Sequence, residues 1–137
     1  MDDLYVLDAC ALVALIKKEP GWEVVLNVLS KTITGNATVI MHALNLLEVY
    51  YGFYKERGKE YAEAKIAESS SFFSTASGLT GAVFSESGRL KASYSISLAD
   101  SVALAQASVI GGMLLTADHH EFDVIEKNEP IKFAWIR

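Results

Sequence analysis

Short apolar runs alternate with longer segments of helical periodicity from one end of the chain to the other, and this alternation limits the fold more than any other feature. Residues 3–7 (DLYVL), 38–41, 79–84, 113–116 and 131–135 read as strands. Between and after them, residues 11–18, 21–31, 43–57, 59–73, 86–94, 97–109 and 119–126 read as helices. Gly58 closes the helix over 43–57, and Gly111 with Gly112 turns the chain ahead of residues 113–116. Strands separated by helices run parallel, and a parallel sheet needs both faces covered. The expected fold is α/β: a central parallel sheet of about five strands with helices on both faces, in one domain over residues 1–137. Such sheets bind ligands beyond the carboxyl ends of their strands. Asp8, after the first apolar run, and Asp118, after the fourth, should both lie at that edge.

Charge is scarce where the chain is most apolar. Asp8 is the only charge between Leu4 and Ile16, Glu48 the only formal charge between Thr32 and Tyr54, and Asp100 the only charge between Ala92 and Ala117. A carboxylate in a buried segment costs several kcal/mol unless it is paired or binds a cation. No basic residue lies within these stretches, so the three acids are expected to meet and share cations. Glu48 is expected on or beside a helical stripe formed by Leu44, Leu47, Tyr51 and Tyr54.

Each acid also has a purely structural reading. Asp8 and Asp118 can each cap the helix that follows. Ser97-Leu-Ala-Asp100 resembles a capping box with a short fourth residue. Glu48 can reach water at the edge of its stripe. Asp123, Glu121 and Glu126 stand in a charged segment and read as surface residues, with Asp123 a possible additional site carboxylate. Thr116 ends a strand two residues before Asp118, where its hydroxyl can support a bound water or merely finish the strand. Cys10 reads as a packing residue, His42 as a helix start or cleft lining, and the adjacent His119 and His120 as rim residues and substrate contacts rather than zinc ligands.

Four carboxylates make an all-oxygen site suited to Mg²⁺ or Mn²⁺. Such a site activates water and stabilises in-line displacement at phosphorus. The net charge of −5 opposes nucleic-acid binding, but the four acids supply −4 of it. Basic residues bunch at Lys17 and Lys18, at Lys55, Arg57 and Lys59, and at Arg89 and Lys91, as solvated helix ends or a local basic rim. A phosphate-binding glycine loop is absent, and a glycosidase would need only two carboxylates.

The ordered pieces VLDACALVALI, NLLEVYYGFY, SLADSVALAQA and LLTADHHEFD cover nearly the whole chain and resemble a PIN domain, in particular the small VapC-like toxins of toxin–antitoxin pairs. The resemblance implies a metal-dependent endoribonuclease that hydrolyses RNA phosphodiester bonds by metal-activated water. It implies Mg²⁺ or Mn²⁺ held by Asp8, Glu48, Asp100 and Asp118, with Thr116 at the family's supporting hydroxyl position. Cys10 departs from the pattern, since a small hydroxyl residue is common two positions after the first aspartate. A small antitoxin protein and a homodimer are the partners implied. The alternatives are an RNA-processing nuclease that is not a toxin, or a catalytically silent binding module on the same fold. A phospho-acceptor signalling domain fits poorly: Asp2 and Asp3 precede the first strand, and no lysine follows residues 113–116. A phosphatase with Asp-x-Asp after its first strand fails at Cys10.

Composition adds the setting. Half the residues are hydrophobic and about a fifth charged, as in globular proteins. The acidic start MDDLYVLDAC is unlike a signal peptide, no apolar run suits a membrane span, and one cysteine allows no intrachain disulfide. A cytoplasmic location with no membrane partner is the expectation.

Overall fold

The structure, a computed structural model, describes residues 3–137; Asp2, the first member of the acidic pair considered above, lies outside them. The strands are β1 (Asp3–Leu7), β2 (Ala37–His42), β3 (Ser74–Ala76), β4 (Met113–Thr116) and β5 (Lys132–Trp135). The helices are α1 (Ala9–Lys17), α2 (Trp22–Ser30), α3 (Ala43–Arg57), α4 (Lys59–Ala67), α5 (Gly81–Ser93), α6 (Leu98–Ile110) and α7 (His119–Asn128), with a 3₁₀ turn at Ser70–Phe72. All five strands are parallel, in the order β3-β2-β1-β4-β5. The chain therefore builds outward from β1 on one side, then returns to β1 and builds outward on the other. The β1/β4 seam is the topological switch point, where crossovers diverge and leave a crevice at the strand ends.

Alternation along the strands divides the core in two. Tyr5, Leu7, Val39, Met41 and Leu115 pack with α1, α2 and α3 on one face. Val6 and Leu114 pack with Leu90, Ala103, Leu104, Ala107, Phe122 and Ile125 on the other. The helix α6 is buried over Ser101–Ala107 almost all round. Its alanines let it lie close to the sheet, and Gly111, in the left-handed region at φ 70°, ends it. Gly21 has φ 94°, and a Cβ there would lie 2.4 Å from the Ile136 carbonyl oxygen. Only glycine fits this close approach between the start of α2 and the end of the chain.

Three expectations need correction. Residues 79–84 are not a strand: the third strand is Ser74–Ala76, and Gly81 opens α5. A short edge strand needs only backbone pairing to β2, and Ser-Thr-Ala carries no apolar signal. The helix expected over 59–73 ends at Ala67, where the serine run takes over with a 3₁₀ turn. The buried face of α3 is Asn45, Val49 and Phe53, not the stripe of Leu44, Leu47, Tyr51 and Tyr54. Leu47, Tyr51 and Tyr54 are about half exposed. Two apolar faces compete on this helix, and Val49 and Phe53 on the other one join the core with residues of α1, α4 and the sheet. Among the described residues, no helix is long and apolar enough to cross a membrane.

Candidate active site at the carboxyl edge of the sheet

Asp8 leaves β1 with extended backbone (φ −92°, ψ 173°), so it continues the strand's alternation. It points to the same face as Val6, the face that α6 covers. Its Oδ1 accepts the Ala11 amide at 2.8 Å and caps α1. Leu7 is in register with Leu115, which places Asp8 beside Thr116. The Thr116 hydroxyl is near enough to the Asp8 carboxylate to oppose the effect of burial on it. Asp8 is 2% exposed and Thr116 fully buried.

Thr116 Oγ1 also accepts the Asp118 amide at 3.1 Å. Asp118 Oδ1 in turn accepts the Glu121 amide at 3.2 Å and caps α7. Asp100 lies in the first turn of α6, where Ser97 Oγ accepts its amide at 3.1 Å. The structural readings of Asp8 and Asp118 as helix caps therefore hold, while at the start of α6 it is the Ser97 side chain that makes the capping bond. They do not exclude a further role, because a carboxylate offers about four lone-pair sites and a cap uses one.

Electrostatics show which acids share a space. Burial pushes the Asp8 carboxyl up to about 7, against the opposing hydrogen bonds from Thr116 and Ala11 and with added repulsion from Asp100 and Asp118. Burial likewise pushes Asp100 up to about 6, with Ser97 opposing and Asp118, Glu48 and Glu121 adding repulsion. Glu48 is raised by burial. Asp8 thus feels Asp100 and Asp118, and Asp100 feels Asp118 and, less strongly, Glu48, which burial alone raises. None of them takes part in an ion pair among the described residues. Nor do any three histidine, cysteine or acidic side chains there converge as a ready metal cage. The Asp8 and Asp118 carboxylates are each engaged in a helix cap.

Two residues escaped the sequence reading. Glu121, taken for a surface residue, faces Asp100 closely enough to raise it; its i+3 spacing from Asp118 on α7 was the available signal. Asn45 is fully buried, with no hydrogen-bond partner for either side-chain polar atom. It sits one turn before Glu48 on α3, and a polar residue at that spacing was again the only clue.

The remaining candidates fall outside this cluster. Asp123 is 56% exposed and bonded to His119 at 2.7 Å. His42 caps α3 through Nδ1, which accepts the Leu44 amide, and Nε2 donates to the Gly78 carbonyl at 3.0 Å. Cys10 is half-buried, and burial above all, with the nearby Asp8, pushes its thiol up to about 11, far from a reactive thiolate. The basic bunches are partly spent: Lys17 pairs with Glu56, and Arg89 with Glu86 and Glu129.

A family model described as PIN domain matches residues 5–128. No curated protein matches the sequence. The chain is similar to a DNA-bound VapBC from Salmonella typhimurium, at 17% identity over 100% of both chains and a TM-score of 0.77. It is similar to VapBC2 from Rickettsia felis bound to a promoter DNA fragment, at 20% identity over 96% of this chain and 97% of that one, with a TM-score of 0.75. It is also similar to VapC20 of Mycobacterium tuberculosis, described as a toxin cleaving the sarcin–ricin loop, at 13% identity over 82% and 86% of the two chains and a TM-score of 0.60. At these identities the structural likeness is one of fold.

Proposed function

The chain belongs to the PIN-domain family, and from that premise we propose that it is a divalent-metal-dependent endoribonuclease, the toxin of a toxin–antitoxin pair. Asp8, Glu48, Asp100 and Asp118 are the proposed site, with Thr116 in support. One observation carries the reading. Asp8, the most buried acid, feels Asp100 and Asp118 at the switch point, Glu48 acts on Asp100 from α3, and Asp8 has no cationic partner among the described residues. Structural carboxylates that cap helices gain nothing from being placed together; cation ligands do.

The donor set fits Mg²⁺ or Mn²⁺: all oxygen, all hard, and too negative as it stands. The unpartnered amide of Asn45 beside Glu48 supports the fit, because a buried polar group without a partner marks a place where a ligand or ordered water is expected. Asp8, Glu48, Asp100 and Asp118 would hold the ion, which supplies Lewis-acid polarisation of the phosphate and of the attacking water. The protein's own part is positioning. The Ala11 amide holds the Asp8 carboxylate with Thr116 beside it, Ser97 and the first turn of α6 hold Asp100, and Glu48 would join from α3. Water as the nucleophile leaves the RNA 2′-hydroxyl out of bond breaking.

An antitoxin partner is supported by the likeness to VapBC complexes. A homodimer is supported by exposed apolar residues on α3, α5 and α6, including Leu47, Tyr51, Phe84 and Leu98.

The test is cleavage of a single-stranded RNA with Mg²⁺ or Mn²⁺, followed by end-group analysis. The expected products carry 5′-phosphate and 3′-hydroxyl ends, chelator stops the reaction, and Asp100→Asn abolishes it while the chain stays folded. Cyclic 2′,3′-phosphate ends with full activity in chelator would sink the carboxylate mechanism.

A further inference from the structure

His119 follows Asp118 and begins α7, and its ring is fixed on three sides. Nδ1 bonds Asp123 Oδ1 at 2.7 Å and Nε2 bonds the Arg137 carbonyl at 2.8 Å. One face lies on the Trp135 indole, with centroids 3.8 Å apart and planes 11° from parallel. The indole is itself stacked on Phe133 at 5.2 Å and 9°, and Phe133 leans on the buried Phe122. The imidazole is thus the outer end of an aromatic column rooted in the core of the α6–α7 face.

Even so, the His119 side chain is 47% exposed. Both nitrogens are engaged and one face is covered, so the exposed surface is mostly the opposite face. A flat ring held rigid, open on one side and adjacent to a site acid is the form of a base-stacking platform. Such a ring loses little side-chain entropy on binding, because its hydrogen bonds and the indole have already removed that freedom.

We propose that the open face of His119 stacks on an unpaired nucleobase flanking the phosphate at the acidic site, so that the chain selects single-stranded RNA there. This rests on the nuclease reading above. Stacking accepts any base, since every base has a flat face, and it discriminates against a duplex, whose bases are covered.

The test uses the wild-type chain with Ca²⁺, a hard cation for oxygen ligands that activates water poorly, and short single-stranded oligoribonucleotides. One position at a time carries 2-aminopurine, whose fluorescence is quenched by stacking, or an abasic site. His119→Ala is expected to weaken binding about 10-fold or more and to abolish quenching at one position. His119→Tyr should retain most of both. Making that one position abasic should leave the wild type and His119→Ala equal in affinity. If His119→Ala binds like the wild type, the inference is overturned and the nuclease reading stands. If its loss is the same on every abasic substrate, the residue is merely structural, which also overturns the inference. If the wild type binds no oligonucleotide, both fall together.

Discussion

Thr116 and Asp8 meet across the β1/β4 seam through a hydroxyl that serves two acids at once. Thr116 Oγ1 accepts the Asp118 amide at 3.1 Å, and the same hydroxyl is the strongest influence opposing the effect of burial on the Asp8 carboxyl. A hydroxyl is donor and acceptor together, so one side chain can serve both acids.

Thr116→Val keeps the shape of the side chain and removes the hydroxyl. The Asp118 amide then lacks its acceptor, and Asp8 loses its largest opposing influence against burial. Stability should fall by about 1–3 kcal/mol, read by urea unfolding, and RNA cleavage should drop about 10-fold or more. Thr116→Ser should restore most of both. A valine variant of unchanged activity would show that the hydroxyl only finishes the strand.

Asp8 makes stability depend on pH in a defined direction. Its unfolded carboxyl titrates near the ordinary value of about 4, its folded one near 7. Below the lower value both states are protonated and no charge is buried at Asp8. Between the two, the folded state must keep a proton that the unfolded state releases, so stability falls as pH rises, and the whole cost is present above the folded value. Metal-free Asp8→Asn, which can still cap through its amide oxygen, should melt about 5 °C or more above the wild type at pH 8, and level with it near pH 4. It should also lose most of the Mn²⁺-induced rise in Tm. Calorimetry across pH with chelator, then with Mn²⁺, checks both. A variant that melts lower at pH 8 and keeps the Mn²⁺ shift would make Asp8 a cap alone.

Gly21→Ala joins a left-handed φ to a backbone clash with Ile136. The loss expected is about 2 kcal/mol or more, or roughly 5–10 °C in Tm. Gly35→Ala has the same sign of φ but open space around it, and should cost less. Equal losses in thermal melts would mean that φ alone matters and that the chain end does not press on Gly21.

Much of this protein was legible from local pattern. The alternation of apolar runs and helical segments announced a parallel sheet, and β1, β4 and α3 fall where their periodicity puts them. Uncharged surroundings picked out Asp8, Glu48 and Asp100, because desolvation acts on each carboxylate wherever the chain goes. What failed were choices between equivalent local options. Residues 79–84 have strand-forming composition, yet Gly81 begins a helix there and an unremarkable Ser-Thr-Ala pairs with β2. The α3 helix offers two apolar stripes, and the pattern favoured Leu44, Leu47, Tyr51 and Tyr54, of which the last three face outward.

The sequence by itself determined the segments, their periods and the isolation of the acids, since rise, twist and desolvation act over a few residues. Only the tertiary structure decided which acids share a field. That depends on β4 returning to lie beside β1 and on α6 being drawn against the sheet by its alanines. Those contacts join residues about a hundred positions apart. They are set by which arrangement buries the most apolar surface with every strand paired, a property of the whole chain that no window of sequence contains.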